Sequence, residues 1–225
     1  MSLKEQIEGF KGRFLPQVPE PIMESMQKAE AVLRESRLAE RALGTGDIAV
    51  DFTLPNARGE PVSSEALRGD GPLVLSFYRG GWCPYCSMEL KALQDVNDEI
   101  KALGASLVAI SPQLPDVSLS TAEKNELEFE VLSDVNSEVA DKYGLTFSLA
   151  EDLRPIYKIW GADVATVNDD PDCKLPLPAT YVIDQDGKIV HSFTDEDYTE
   201  RLEPDEILDS LRKLRNRNNM AGSPH

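Results

Sequence analysis

Cys83 and Cys86, three positions apart, are the residues of this 225-residue chain best placed to do chemistry. They lie in Arg79-Gly80-Gly81-Trp82-Cys83-Pro84-Tyr85-Cys86, which follows the β-rich run Leu73–Tyr78 and opens a helical pattern. At a helix N-terminus the free backbone N–H groups and the helix dipole favour a thiolate over a thiol. Such placement lowers a cysteine pKa from about 8.5 to roughly 3.5–7.5. Cys83, at the junction, is expected to be the accessible, activated nucleophile. Cys86, almost one turn in and on the same side, can reach back to close a disulfide. Pro84 falls in the first turn, where its missing N–H costs nothing. Gly80 and Gly81 let the chain turn sharply and leave the sulfur uncovered.

Two other readings of the pair are weaker. Zinc wants four ligands, and beyond this pair the chain offers only Cys173, His191 and His225, with no second pair at ligand spacing. Two cysteines can also be buried simply as small apolar residues. A reactive dithiol needing neither metal nor cofactor is the better reading. Cys173 lies in an acidic loop, Asn168-Asp169-Asp170-Pro171-Asp172-Cys173, where neighbouring charges raise a thiol pKa. It is expected to be inert, with a reserve resolving role as the alternative. His191 falls mid-strand and reads as structural, and no phosphate loop or nucleotide fingerprint is present.

The elements that must hold this dithiol are legible in outline. Residues 1–44 form a helical extension: Ser2 with Glu5 is a capping box, and Leu3, Ile7, Phe10 and Phe14 recur at helical spacing. Pro16, Pro19 and Pro21 break that helix before a second stripe, Ile22, Met26, Ala29 and Leu33. Two such stripes need a surface, either the main domain or a second copy of the chain in a homodimer. Residues 45–215 alternate strand and helix, with helix over 91–103 and 119–128, strand over 106–111, and a hairpin at 179–194 turning on Asp186-Gly187. The pattern predicts an α/β fold, a mixed central sheet with helices on both faces. Residues 216–225 are expected to be a flexible tail. With 23 basic and 40 acidic residues the net charge is −17, which argues against nucleic acid and anionic membranes as partners. No apolar run reaches membrane-spanning length and no secretory leader pattern opens the chain, so a cytoplasmic setting is expected.

Trp82-Cys83-Pro84-Tyr85-Cys86 resembles the Trp-Cys-Pro-x-Cys of thioredoxin-fold proteins. The longer resemblance is to the peroxiredoxin branch, the alkyl hydroperoxide reductase and thiol-specific antioxidant family. It is carried by Gly46-Asp47-Ile48-Ala49-Val50-Asp51-Phe52-Thr53-Leu54, Val108-Ala109-Ile110-Ser111-Pro112, Leu132-Ser133-Asp134 and Thr180 to Ile189. Together these cover roughly residues 46 to 195. The resemblance implies a thioredoxin-like, peroxiredoxin-type fold. The chain departs from the family's Pro-x-x-x-Thr-x-x-Cys, because Ser76 and Gly80 occupy the proline and threonine positions. The arginine expected beside the last hairpin is not evident, since Pro178-Ala179-Thr180 stands there. Pro178 resembles the substrate-binding cis-proline of thioredoxins, which predicts a cis Leu177–Pro178 bond facing the dithiol. Arg79 is the one obvious local cation. It either compensates for the missing groups or is a solvent-facing turn residue.

The resemblance implies a thiol-dependent peroxidase that reduces hydrogen peroxide or organic hydroperoxides through a Cys83/Cys86 cycle. Arg79, Trp82, Pro84 and Pro178 would contact the substrate, and a thioredoxin- or glutathione-type system would supply electrons. The alternatives are a thioredoxin-like protein disulfide oxidoreductase and a non-catalytic binding protein switched by the dithiol.

Overall fold

The computed structural model describes residues 1–221. The chain opens with α1 (Leu3–Phe14), α2 (Glu20–Ser36) and the short α3 (Leu38–Arg41). A small hairpin, β1 (Thr53–Pro55) and β2 (Pro61–Ser63), leads through α4 (Ser64–Asp70) into β3 (Leu73–Phe77). Then come α5 (Pro84–Asp95), α6 (Asn97–Ala102), β4 (Ser106–Ser111), α7 (Pro115–Lys124), β5 (Glu130–Ser133) and α8 (Glu138–Lys142). The last third holds β6 (Thr146–Ser148), α9 (Arg154–Ile159), α10 (Val164–Asn168), β7 (Lys174–Pro176), β8 (Ala179–Ile183), β9 (Ile189–Thr194) and α11 (Pro204–Ala221).

The central sheet has the order β5-β4-β3-β8-β9. β3, β4 and β5 run parallel, β8 is antiparallel to β3, and β9 antiparallel to β8. Side chains alternate across β3 as the pleat requires. Val74 faces a core shared with Leu90, Leu93, Ile207 and Leu211, whereas Leu73, Leu75 and Phe77 face Tyr143, Leu145 and Tyr181. Both faces are therefore covered, and every residue of β3 is buried. The site-bearing strand is the middle of the sheet, which fixes its C-terminal end rigidly.

Several expectations shift in detail. The helix read over 91–103 divides at Val96, whose ψ of 3° is not helical, into α5 and α6. The helix read over 119–128 lies earlier, as α7, because Pro115 starts it. The β1–β2 hairpin and the antiparallel β6–β7 pair were not legible, being three-residue strands without period. Helix α11 continues to Ala221, past the 215 boundary; the tail's last four positions, 222–225, fall outside the described residues.

The N-terminal stripes are used within the chain. Ser2 and Glu5 form the capping box, and Leu3 and Ile7 are buried in the core containing Leu90 and Leu211. Glu203 accepts hydrogen bonds from the backbone N–H groups of Leu3 and Lys4, at 3.1 and 2.7 Å, tying the start of α1 to the entry of α11. Phe10 meets Tyr85 edge to face, and Met26 and Ala29 of α2 pack on the cluster of Leu149, Leu153 and Tyr157. The main domain is the surface the α1 stripe finds, whereas α2 packs on it only partly and has no buried residue.

Candidate active site

β3 ends at Phe77, Tyr78 still donates its N–H to the Ile110 carbonyl, and the chain then turns through Arg79 to Trp82. Gly80 and Gly81 are needed there for space. A Cβ on Gly80 would sit 2.3 Å from Trp82 Nε1, and one on Gly81 2.2 Å from Thr121 Oγ1. Cys83 is the N-cap of α5 with Pro84 in the first turn, as the motif predicts. Both cysteines are free thiols. The expected accessibility does not hold: Cys83 is 1% exposed and Cys86 fully buried. The cause is a layer of aromatic side chains over the helix opening, partly from segments remote in sequence.

Arg79 is buried beside Cys83 and does not face solvent. It is 2% exposed and its Nη1 lies 3.9 Å from Cys83 Sγ. Nη2 donates to the Tyr157 hydroxyl at 2.9 Å. The guanidinium carbon sits 4.2 Å from the centre of the Tyr198 ring, 5.1 Å from Trp82 and 5.6 Å from Tyr157. Cation–π contacts thus hold the charge in place without neutralising it. Nε of Arg79 and Nε1 of Trp82 are buried and find no partner among the described residues. A cavity of about 290 Å³ opens over these groups, lined by Arg79, Trp82, Cys83, Pro84, Tyr157 and Tyr198 among others.

A second buried cation escaped the sequence reading. Arg201, in the segment between β9 and α11, places Nη2 3.5 Å from Cys86 Sγ and Nε 2.6 Å from a Glu89 carboxylate oxygen. The Thr180 hydroxyl donates to the other Glu89 oxygen at 3.4 Å. Glu89 follows Cys86 by three residues on one helix, a spacing that could have flagged it. Arg201 carries no such signal, because only the fold brings it there.

The electrostatics separate the two sulfurs. Burial alone would push the Cys83 thiol up; a hydrogen bond from the Cys86 thiol and the charges of Arg79 and Arg201 outweigh it and lower the pKa to about 5. Burial and the hydrogen bond to Cys83 hold Cys86 well above an ordinary thiol. Burial outweighs the attraction of Arg201 and leaves Glu89 raised, to about 7. At neutral pH the pair is one thiolate and one thiol, the combination a nucleophile and a resolver require.

Pro178 does not join this site. Among the described residues no peptide bond is cis, so the Leu177–Pro178 bond is trans. Leu177 donates its N–H to Leu145 at 2.8 Å, the Pro178 carbonyl accepts from Thr194 Oγ1 at 3.1 Å, and Ala179 pairs with Phe77. The chain runs extended from β7 into β8 and has no tight turn to make. Pro178 is buried but does not line the cavity over Cys83. Cys173 is buried too, and desolvation raises its pKa.

The family model described as AhpC/TSA matches residues 45–192, about two thirds of the chain. The chain belongs to that family. A putative peroxiredoxin of Mycobacterium tuberculosis is 29% identical over 171 residues, covering 76% of this chain and 97% of the relative. Peroxiredoxin Bcp of Escherichia coli is 32% identical over 153 residues, or 68% and 86% of the two chains. Among solved structures, peroxidoxin BcpB from M. tuberculosis superposes with a TM-score of 0.60 at 27% identity, over 76% of this chain and 98% of its own. The thioredoxin-like, peroxiredoxin-type fold expected from sequence is the fold found. Helices α1 to α3 lie outside the residues the AhpC/TSA match spans.

Proposed function

We propose that Cys83 is the peroxide-reducing nucleophile of this AhpC/TSA-family chain and Cys86 its resolving partner. The protein is a thiol-dependent peroxidase, in keeping with relatives named peroxiredoxins. The observation that carries the assignment of roles is the pairing of Cys83 Sγ with Arg79 Nη1 at 3.9 Å under an aromatic cavity.

The Cys83 thiolate attacks one oxygen of the hydroperoxide and the O–O bond breaks. Sulfur is oxidised to sulfenic acid, and the leaving oxygen takes a proton and departs as water or an alcohol. Charge grows on that oxygen as the bond stretches, and the Arg79 guanidinium stands where it can be stabilised. The Cys86 thiol then attacks the sulfenic sulfur, water leaves, and a Cys83–Cys86 disulfide forms. A dithiol reductant of thioredoxin type, or glutathione, returns two electrons and two protons by exchange through a mixed disulfide. A cytoplasmic setting suits a dithiol that must be kept reduced, and no helix among the described residues is long and apolar enough to cross a membrane.

The disulfide-oxidoreductase reading is less well supported. It needs a sulfur that a protein substrate can touch and a proline facing it, whereas Cys83 is covered and Pro178 lies away from the cavity. A purely switching protein would have no use for an unneutralised arginine against the thiolate. Turnover of hydrogen peroxide and an organic hydroperoxide, beside reduction of a disulfide-bonded protein, tests the choice. Peroxide turnover lost in Cys83→Ser is the expected result; disulfide reduction alone would reverse the assignment.

A further inference from the structure

The cavity over Cys83 does not end at the aromatic layer. Met26, Arg79, Tyr157 and Tyr198 are also walls of a second cavity, of about 440 Å³, so the two adjoin across these side chains. This second space is a groove between α2 and the stretch from β6 to α9. Its walls are mainly apolar, with Ala29 and Leu33 on α2 facing Phe147, Leu149 and Leu153. Charged residues such as Lys28, Glu30 and Asp152 also line it. The inner end is polar: Cys83 Sγ, Arg79 and the unpartnered buried Nε1 of Trp82. Phe14 and Trp160, edge to face with ring centres 5.7 Å apart, form part of the wall nearest the sulfur.

An apolar groove adjoining a polar site fits a ligand with one apolar and one polar end. Together the spaces fall in the size range of small-molecule sites, and far exceed what hydrogen peroxide needs. Water filling the groove would gain little from its walls, whereas a hydrocarbon chain would bury them.

We propose that the groove between α2 and β6–α9 binds the hydrocarbon tail of an organic hydroperoxide whose O–O group faces Cys83 and Arg79 from the cavity over them. Helix α2, outside the residues that match the AhpC/TSA family, is then the specificity-determining element. It selects long, unbranched hydroperoxides over small or bulky ones. The inference rests on the peroxidase reading above. The chemistry is unchanged: the tail leaves on the alcohol formed when the O–O bond breaks, and its departure empties the groove.

The test compares kcat/KM for hydrogen peroxide, tert-butyl hydroperoxide and dodecyl hydroperoxide, with dithiothreitol as reductant, in the full chain. Ala29→Trp fills the groove away from the sulfur. Val32→Trp does so from a position 62% exposed, where folding is not at stake. The wild type is expected to favour dodecyl over tert-butyl hydroperoxide by about tenfold. Either substitution should lower the dodecyl-to-hydrogen-peroxide ratio by about tenfold, the scale on which a blocked apolar pocket discriminates. An active wild type whose ratio is unmoved by both substitutions overturns the groove assignment alone. A wild type that turns over none of the three peroxides overturns the peroxidase reading, and the groove with it.

Discussion

Arg201 stands 3.5 Å from the Cys86 sulfur through one nitrogen while another, Nε, pairs with Glu89 at 2.6 Å. Cys86 thus rests against the buried Arg201–Glu89 pair, just as Cys83 rests against Arg79. Each sulfur has its own cation. Of these two arginines only Arg201 has a carboxylate partner among the described residues, and the Cys86 thiol donates to Cys83; both favour the thiolate at Cys83.

Glu89→Gln should cost little below about pH 7, where glutamine stands in for a carboxyl that the folded state holds protonated beside Arg201. The pH dependence carries a sharper signature. Burial raises Glu89 from 4.5 to about 7, so between those values the folded state holds a proton that the unfolded state has lost. Its contribution is fully present below pH 4.5 and lost as pH rises through about 7. In denaturant titrations across pH 4 to 8, the stability of wild type relative to Glu89→Gln should fall as pH rises from 4.5 to about 7. Cys83, with its lowered pKa, adds a rising contribution common to both.

Arg79→Met should slow peroxide reduction by about 10²–10³, the usual cost of removing one preorganised donor to a developing oxyanion. It should also raise the Cys83 pKa, because Arg79 is the larger of the two arginine influences that lower it. Stopped-flow peroxide consumption together with pH-dependent alkylation reads both. An unchanged rate would mean that the backbone N–H groups at the start of α5 do this work.

Alkylation of Cys83 by iodoacetamide, followed in Cys86→Ser/Cys173→Ser to give one reporter, should rise through the acid range. Two of the influences that lower the pKa, Arg79 and Arg201, survive in that variant. The hydrogen bond from the Cys86 thiol is replaced by one from serine. A midpoint well below an ordinary thiol is expected; one near 8 or 9 would contradict the electrostatic account.

Much of this was legible in the sequence because it is local. The capping box at Ser2 and Glu5, the turn at Gly187 and the placement of Cys83 at a helix start all depend on neighbours a few residues apart. What was not legible is what the fold assembles. Tyr157, Tyr198 and Arg201 come from segments with no motif, yet they cover, hold and charge the site. Their absence from the sequence reading is why Cys83 was expected to be exposed and Arg79 left open as a turn residue. Pro178 shows the opposite error. A motif position transferred from a related fold presumed a tight turn, and the pairing of Leu177 with Leu145 and of Ala179 with Phe77 removes the need for one.

Cys173 should be dispensable. It is buried among Leu149, Leu153 and Leu175, and its thiol is held protonated by desolvation. Cys173→Ala is expected to keep peroxide turnover within about twofold. A lost second turnover in the variant would give it the resolving role instead.

The central claim is that Cys83 takes the oxygen. Its most direct test is mass-spectrometric mapping of a dimedone adduct after one equivalent of hydrogen peroxide is added to Cys86→Ser. The account predicts a single adduct on the peptide carrying Cys83, and none in Cys83→Ser with Cys86 intact. An adduct on Cys86 in that second variant, formed at a comparable rate, would contradict it.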